Sequence, residues 1–194
     1  MLRISHATIL TPEHRIQDGP VLTDGDWIVE VGTASTVSCP ESAQTLDASG
    51  LLLVPGFIEL QLNGAFGHDF CADPTSIWSA ATKLPRFGVT AFRPTIVTSP
   101  PETISAAQEA LVGSVATAGA GAVPLGLHLE GPFLNPKKKG AHVPAFLRKP
   151  DLAAISGWTP ERGVRLVTLA PELPGAPDLI GALTAQGVTV SAGP

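Results

Sequence analysis

Residues Leu125 to His142 read LGLHLEGPFLNPKKKGAH. Leu125, Leu127 and Leu129 alternate with Gly126, His128 and Glu130, the period of two that suits a buried strand, and Gly131-Pro132 stops the run. A carboxylate thus closes an otherwise apolar strand. Desolvating Glu130 there is costly unless a cation or donors satisfy it, which makes a divalent metal ion a reasonable partner. If the strand belongs to a parallel α/β structure, its carboxyl end is where ligands and metals gather, and Glu130 faces a site.

Two histidines bracket that carboxylate. His128 lies two residues before Glu130 and so on the same face, and we read it as a histidine packed inside a barrel with both ring nitrogens bonded, in preference to a second ligand. His142 follows Gly140-Ala141 in a loop, where a ring nitrogen can reach a substrate carbonyl. Lys137-Lys138-Lys139 read as a solvated charge run before a phosphate site.

Outward from this stretch, strands and helices alternate. Phe57 to Leu62 is the first strand, entered from Leu51–Val54 through Pro55-Gly56 and ending at Asn63-Gly64; Gln61 and Asn63 at its end can give or accept hydrogen bonds in the same site. Asp73 is positioned to cap a helix with Pro74 first and Ile77, Ala81 and Leu84 on one face, which Pro85 breaks. Val89 to Ile96 is the second strand. Ser99 to Glu102 has capping-box spacing, and Ile104, Ala107, Leu111 and Val115 mark the next helix. A short helix near Asp151 to Ile155, a strand from Val164 to Leu169, a helix near Asp178 to Gln186 and a strand from Val188 to Ser191 complete five strands and four helical connections. That repeat predicts a parallel sheet, either open and doubly wound or part of a (β/α)8 barrel.

Residues 1 to 54 read instead as a small β unit. Ile4 to Leu10 is one strand, and Asp24-Gly25-Asp26 between Val21-Leu22 and Trp27–Val31 signals a hairpin. The division expected is therefore a β segment at 1–54 and a βα segment at 55–194. A full barrel takes about 250 residues, and the last residues, Thr189 to Pro194, read as a strand with no neighbour beyond it. We expect a truncated chain.

Composition narrows the class of function. The 194 residues are 44% hydrophobic and 15% charged, as in a globular chain, and the net charge of −5 gives no reason to expect nucleic acid or an anionic membrane as partner. Cys39 and Cys71 form no metal or disulfide pattern, and no signal peptide or membrane span is visible, so a cytoplasmic location and a small-molecule partner are expected. GxGxxG, Walker A, GxSxG and HExxH patterns are absent.

Five ordered motifs carry a resemblance. They are Pro55-Gly56-Phe57-Ile58-Glu59-Leu60-Gln61-Leu62-Asn63-Gly64; Gly88-Val89-Thr90 with Pro94-Thr95 and Thr98-Ser99; Gly126 to Phe133 with Lys138 to His142; Thr168 to Glu172; and Val190 to Gly193. Together they resemble N-acetylglucosamine-6-phosphate deacetylase of the amidohydrolase superfamily. The resemblance implies a partial TIM-type barrel of about five strands preceded by a segment of a small β-sandwich. It also implies metal-dependent hydrolysis of N-acetylglucosamine 6-phosphate to glucosamine 6-phosphate and acetate. By motif, Glu130 would be a metal ligand, with zinc the first choice among divalent ions. Ala141 and His142 would bind substrate, His142 orienting or polarising the acetamide carbonyl. Gln61 and Asn63 stand where related amidohydrolases carry a His-x-His pair, which favours a single-metal site. The family's two histidine ligands and catalytic aspartate would follow Gly193, and its members associate as dimers. Related N-acetyl amino-sugar phosphates, or a non-catalytic truncated half-barrel, are the alternatives.

Overall fold

The structure, a computed structural model, describes residues 1–113 and 121–193. It divides into two compact units, Met1–Pro55 and Gly56–Pro194.

The first unit is one mixed sheet of five strands: β1 (Leu2–Leu10), β2 (Arg15–Asp24), β3 (Trp27–Val31), β4 (Gln44–Asp47) and β5 (Leu52–Leu53). β1 pairs antiparallel with β2, and β2 with β3. β4 and β5 run parallel to β1. The hairpin expected at Asp24-Gly25-Asp26 joins β2 to β3, with Gly25 at φ 55°, a left-handed value that glycine adopts at little cost. Ala7, Ile9, Val21 and Ala48 form the small core. Leu52 and Leu53 pair with β1, so the apolar run before Pro55 belongs to this sheet.

The second unit contains β6 (Phe57–Leu62), α1 (Ser76–Ala81), β7 (Val89–Val97), α2 (Pro101–Gly113), β8 (Val123–Pro124), β9 (Leu127–Glu130), β10 (Val164–Leu169), α3 (Ala176–Ala185) and β11 (Thr189–Ala192). Its main strands are all parallel, in the spatial order β11-β10-β9-β7-β6, with short β8 also pairing with β7. A doubly wound sheet reverses its strand order at a switch point, whereas this order follows the chain without reversal. The sheet is a half-barrel of five strands.

Sequence explains most of these elements. Pro101 opens α2, where its missing N–H costs nothing, and Ile104, Ala107 and Leu111 are buried along one face. The helix begins at Pro101, two places beyond Ser99, and Val115 lies outside the described residues. Asp73 does not cap α1 directly: its carboxylate accepts from the Thr75 amide at 3.0 Å and the Thr75 hydroxyl at 2.6 Å, which delays the helix to Ser76. α1 then stops at Ala81, and Leu84 and Pro85 fall in a separate 3-10 turn. Between β9 and β10 the connection is made of 3-10 turns, so the helix expected near Asp151 is a single turn, Ala153–Ile155.

The core lies between the sheet and its helices. Phe92, Ile96, Leu127, Leu129, Val167 and Leu169 pack there against Ile77, Ile104, Leu111, Leu179 and Leu183. Each such buried side chain contributes about 1.5–3 kcal/mol. The alternation starts at Leu127, not Leu125, because Gly126 turns the chain at φ 96° where a Cβ would come within 2.3 Å of Arg165. With Leu127 and Leu129 committed to the helix side, His128 and Glu130 point to the opposite face, the interior of the half-barrel.

Candidate active site

The interior face is layered. In the ladder Thr95 stands beside His128, and one step further toward the carboxyl ends Val97 stands beside Glu130 and Glu130 beside Thr168. His128 is 2% exposed, with Nδ1 3.1 Å from the Thr95 hydroxyl and Nε2 2.8 Å from the Thr168 hydroxyl. The ring bridges β7 and β10 across β9 and has no nitrogen free for a metal. It is the packed histidine expected from its place in the strand.

Above this layer, the carboxyl ends of β6, β7 and β9 meet. Gln61 Nε2 donates to Glu130 Oε2 at 3.0 Å, and His142 Nε2 lies 3.6 Å from Glu130 Oε1. The Glu130 and His142 side chains are 21% and 13% exposed, enough to be reached from a cleft while still largely desolvated. Thr98, just past the end of β7, places its hydroxyl 2.9 Å from His142 Nδ1 and 3.2 Å from the Glu130 carbonyl oxygen.

The loop that returns His142 to Glu130 is firmly anchored. Phe133 and Leu134 are buried, and the Phe133 carbonyl accepts from the Ala170 amide at 2.8 Å. Asn135 donates to Glu172 at 2.8 Å and caps the 3-10 turn Pro136–Lys138 by accepting from the Lys137 amide. The Asn135 amide also holds the exposed Glu172 carboxyl below its ordinary range. The His142 amide then closes the loop on the Lys139 carbonyl at 2.9 Å.

The result is a cleft of about 370 Å³ lined by Asn63, Val97, Glu130, Lys138, Lys139, Gly140, Ala141 and His142. Asn63, Glu130, Ala141 and His142, named from sequence, line it, and Gln61 reaches it through Glu130. Sequence alone marks Thr98 only by its place one residue past a barrel strand, as it does Asn63. A larger cavity of about 560 Å³ behind the loop has an aliphatic and proline lining with Lys139, Arg148 and Lys149, but neither carboxylate nor imidazole.

No family profile matches the chain. Individual proteins do. Human N-acetylglucosamine-6-phosphate deacetylase is 46% identical over 156 residues, 76% of this chain and 38% of that protein. The crystal structure of N-acetylglucosamine-6-phosphate deacetylase from Pasteurella multocida matches with a TM-score of 0.85 at 30% identity, covering 99% of this chain and 50% of that one. The chain belongs to the N-acetylglucosamine-6-phosphate deacetylase family. It spans about half or less of the length of these relatives. A Mycobacterium smegmatis member of the family, a mutant in complex with N-acetyl-D-glucosamine-6-phosphate, matches with a TM-score of 0.80 at 30% identity over 99% of this chain and 49% of its own.

As a metal-binding site, the donor set in the cleft is incomplete. Among the described residues no three His, Cys, Asp or Glu side chains converge on a metal position. Glu130 offers one carboxylate, Gln61 meets it as an N–H donor, and a structural or catalytic zinc takes three or four protein ligands. The described residues do not by themselves fit the metal ion. No helix among them is long and apolar enough to cross a membrane.

His128 gives the fold of this chain a pH dependence. Burial lowers its pKa; the Glu130 charge opposes that shift and Arg93 adds to it. As pH falls below about 6.5 the unfolded chain binds the proton first, so stability is fully present above that value and is lost toward the depressed folded pKa. Urea midpoints between pH ~7.5 and ~5 will fall more steeply for the native chain than for His128→Asn. Parallel profiles would remove His128 as the cause.

Proposed function

We propose that these residues are the amino-terminal part of an enzyme that hydrolyses N-acetylglucosamine 6-phosphate to glucosamine 6-phosphate and acetate. The supporting observation is the convergence of Gln61, Asn63, Glu130, Ala141 and His142 on one cleft at the carboxyl ends of barrel strands. In a TIM-type barrel that end carries the chemistry. Glu130 would be this stretch's share of the ligands for a divalent ion, zinc first, and the other ligands would come from the remainder of the family's fold.

The contacts support substrate-side roles for the other residues. His142, which lines the cleft with Nε2 3.6 Å from Glu130 Oε1, orients the acetamido group, while Ala141 beside it lines the wall without filling it. Gln61 fixes one Glu130 oxygen and Asn63 offers its amide at the rim. Water adds to the acetamide carbon, the C–N bond breaks, and the leaving nitrogen gains a proton to depart as the amine.

The test is reassembly. The 194-residue chain, combined with a fragment carrying the second half of a family relative and with zinc, is expected to release free amine from N-acetylglucosamine 6-phosphate. The galactosamine epimer run in parallel reports sugar preference. Full turnover by the 194 residues alone would overturn the assignment of the missing ligands to another part of the fold.

A further inference from the structure

We infer that Thr98 is a positioning residue that holds His142 as the tautomer with its proton on Nε2, so that the cleft is offered an N–H donor. The catalytic meaning rests on the substrate-binding role proposed above for His142. The tautomer itself rests on geometry.

Thr98 is 4% exposed, and its hydroxyl has one proton to give. It lies 2.9 Å from His142 Nδ1 and 3.2 Å from the Glu130 carbonyl oxygen, so the two acceptors compete. If the carbonyl took the proton, a neutral His142 would donate through Nδ1 and turn its Nε2 lone pair toward Glu130 Oε1. Two acceptors would then face each other at 3.6 Å. If Nδ1 takes the proton, across the shorter distance, Nε2 carries N–H and faces the same carboxylate as a donor. The second arrangement satisfies both ends of the ring.

The hydroxyl is also held in place from below. Gly131 lies against it so closely that a Cβ there would stand 2.2 Å from Thr98 Oγ1. Thr98 therefore couples the end of β7, the end of β9 and the returning loop. The Nε2–H it sets up is the polarity needed to hold the oxygen of an acetamide carbonyl.

Nitrogen-15 NMR of the imidazole rings tests this in the 194-residue chain, at mildly alkaline pH where an ordinary imidazole is neutral. His142→Asn identifies the signal among the five histidines. The native chain and Thr98→Ser are expected to show His142 as the Nε2–H tautomer, and Thr98→Val, which keeps the shape without the hydroxyl, to shift it to a tautomer mixture. An Nδ1–H or doubly protonated His142 in the native chain would overturn the inference, as would an unchanged signal in Thr98→Val. If Thr98→Val does not fold, Thr98→Ala makes the same comparison, and an unchanged Nε2–H signal there would likewise overturn the inference. Because no turnover is needed, an Nε2–H signal without deacetylation in the reassembled protein would sink the proposed function and leave Thr98's role standing.

Discussion

Glu130→Gln in the reassembled protein is expected to lower kcat/KM for the proposed reaction by at least about 100-fold while leaving the chain folded. Even groups that only support metal ligands cost 10- to 100-fold when removed, and a ligand itself costs at least as much. Glutamine keeps the length of the side chain and can turn its carbonyl oxygen toward Gln61 Nε2, which now donates to Glu130 at 3.0 Å. What the substitution removes is the negative charge at the end of β9. Steady-state kinetics with a parallel melting curve separate the two effects. Near-native kcat/KM in a folded Glu130→Gln protein would remove this carboxylate from the chemistry.

Gly131→Ala is expected to destabilise the second unit by about 3 kcal/mol. Gly131 adopts φ 90°, where an L side chain is strained, and the new methyl would meet Thr98 Oγ1 at 2.2 Å and Leu134 Cδ1 at 3.3 Å. Neither neighbour can retreat cheaply. The hydroxyl is bound between His142 and the Glu130 carbonyl, and Leu134 is buried at 2% exposure. Urea unfolding measures the loss, and a change within about 0.5 kcal/mol, ordinary for a surface substitution, would show that the close approach is not as drawn.

Much of the half-barrel was legible because its strands are short apolar runs bounded by Gly and Pro. Val164–Leu169 coincides with the predicted strand, and His128 packs as expected because a residue two before Glu130 must share its interior face. The departures have local causes. The helix expected near Asp151 shrinks to one 3-10 turn, Ala153–Ile155. Asp73 reads equally well as a helix cap or as an Asx turn, and its bonds to Thr75 decide for the turn.

The candidate site shows the same division. Glu130 stands out because a carboxylate ending an apolar strand needs a partner, and that argument uses neighbours in sequence alone. Gln61 and Glu130 are 69 positions apart, and Thr98 and His142 are 44 apart, so their contacts depend on strand order and loop path. Threonine at a strand end is also too common to stand out. Its function here comes from one hydroxyl shared between two acceptors, which only coordinates reveal.

The most direct measurement is a zinc-edge anomalous difference map of the reassembled, zinc-loaded protein. The expected result is a single zinc peak about 2.0–2.2 Å from a Glu130 carboxylate oxygen. A zinc site elsewhere, with Glu130 still facing only Gln61 and His142, would contradict the assignment of Glu130 as the metal ligand of this half-barrel.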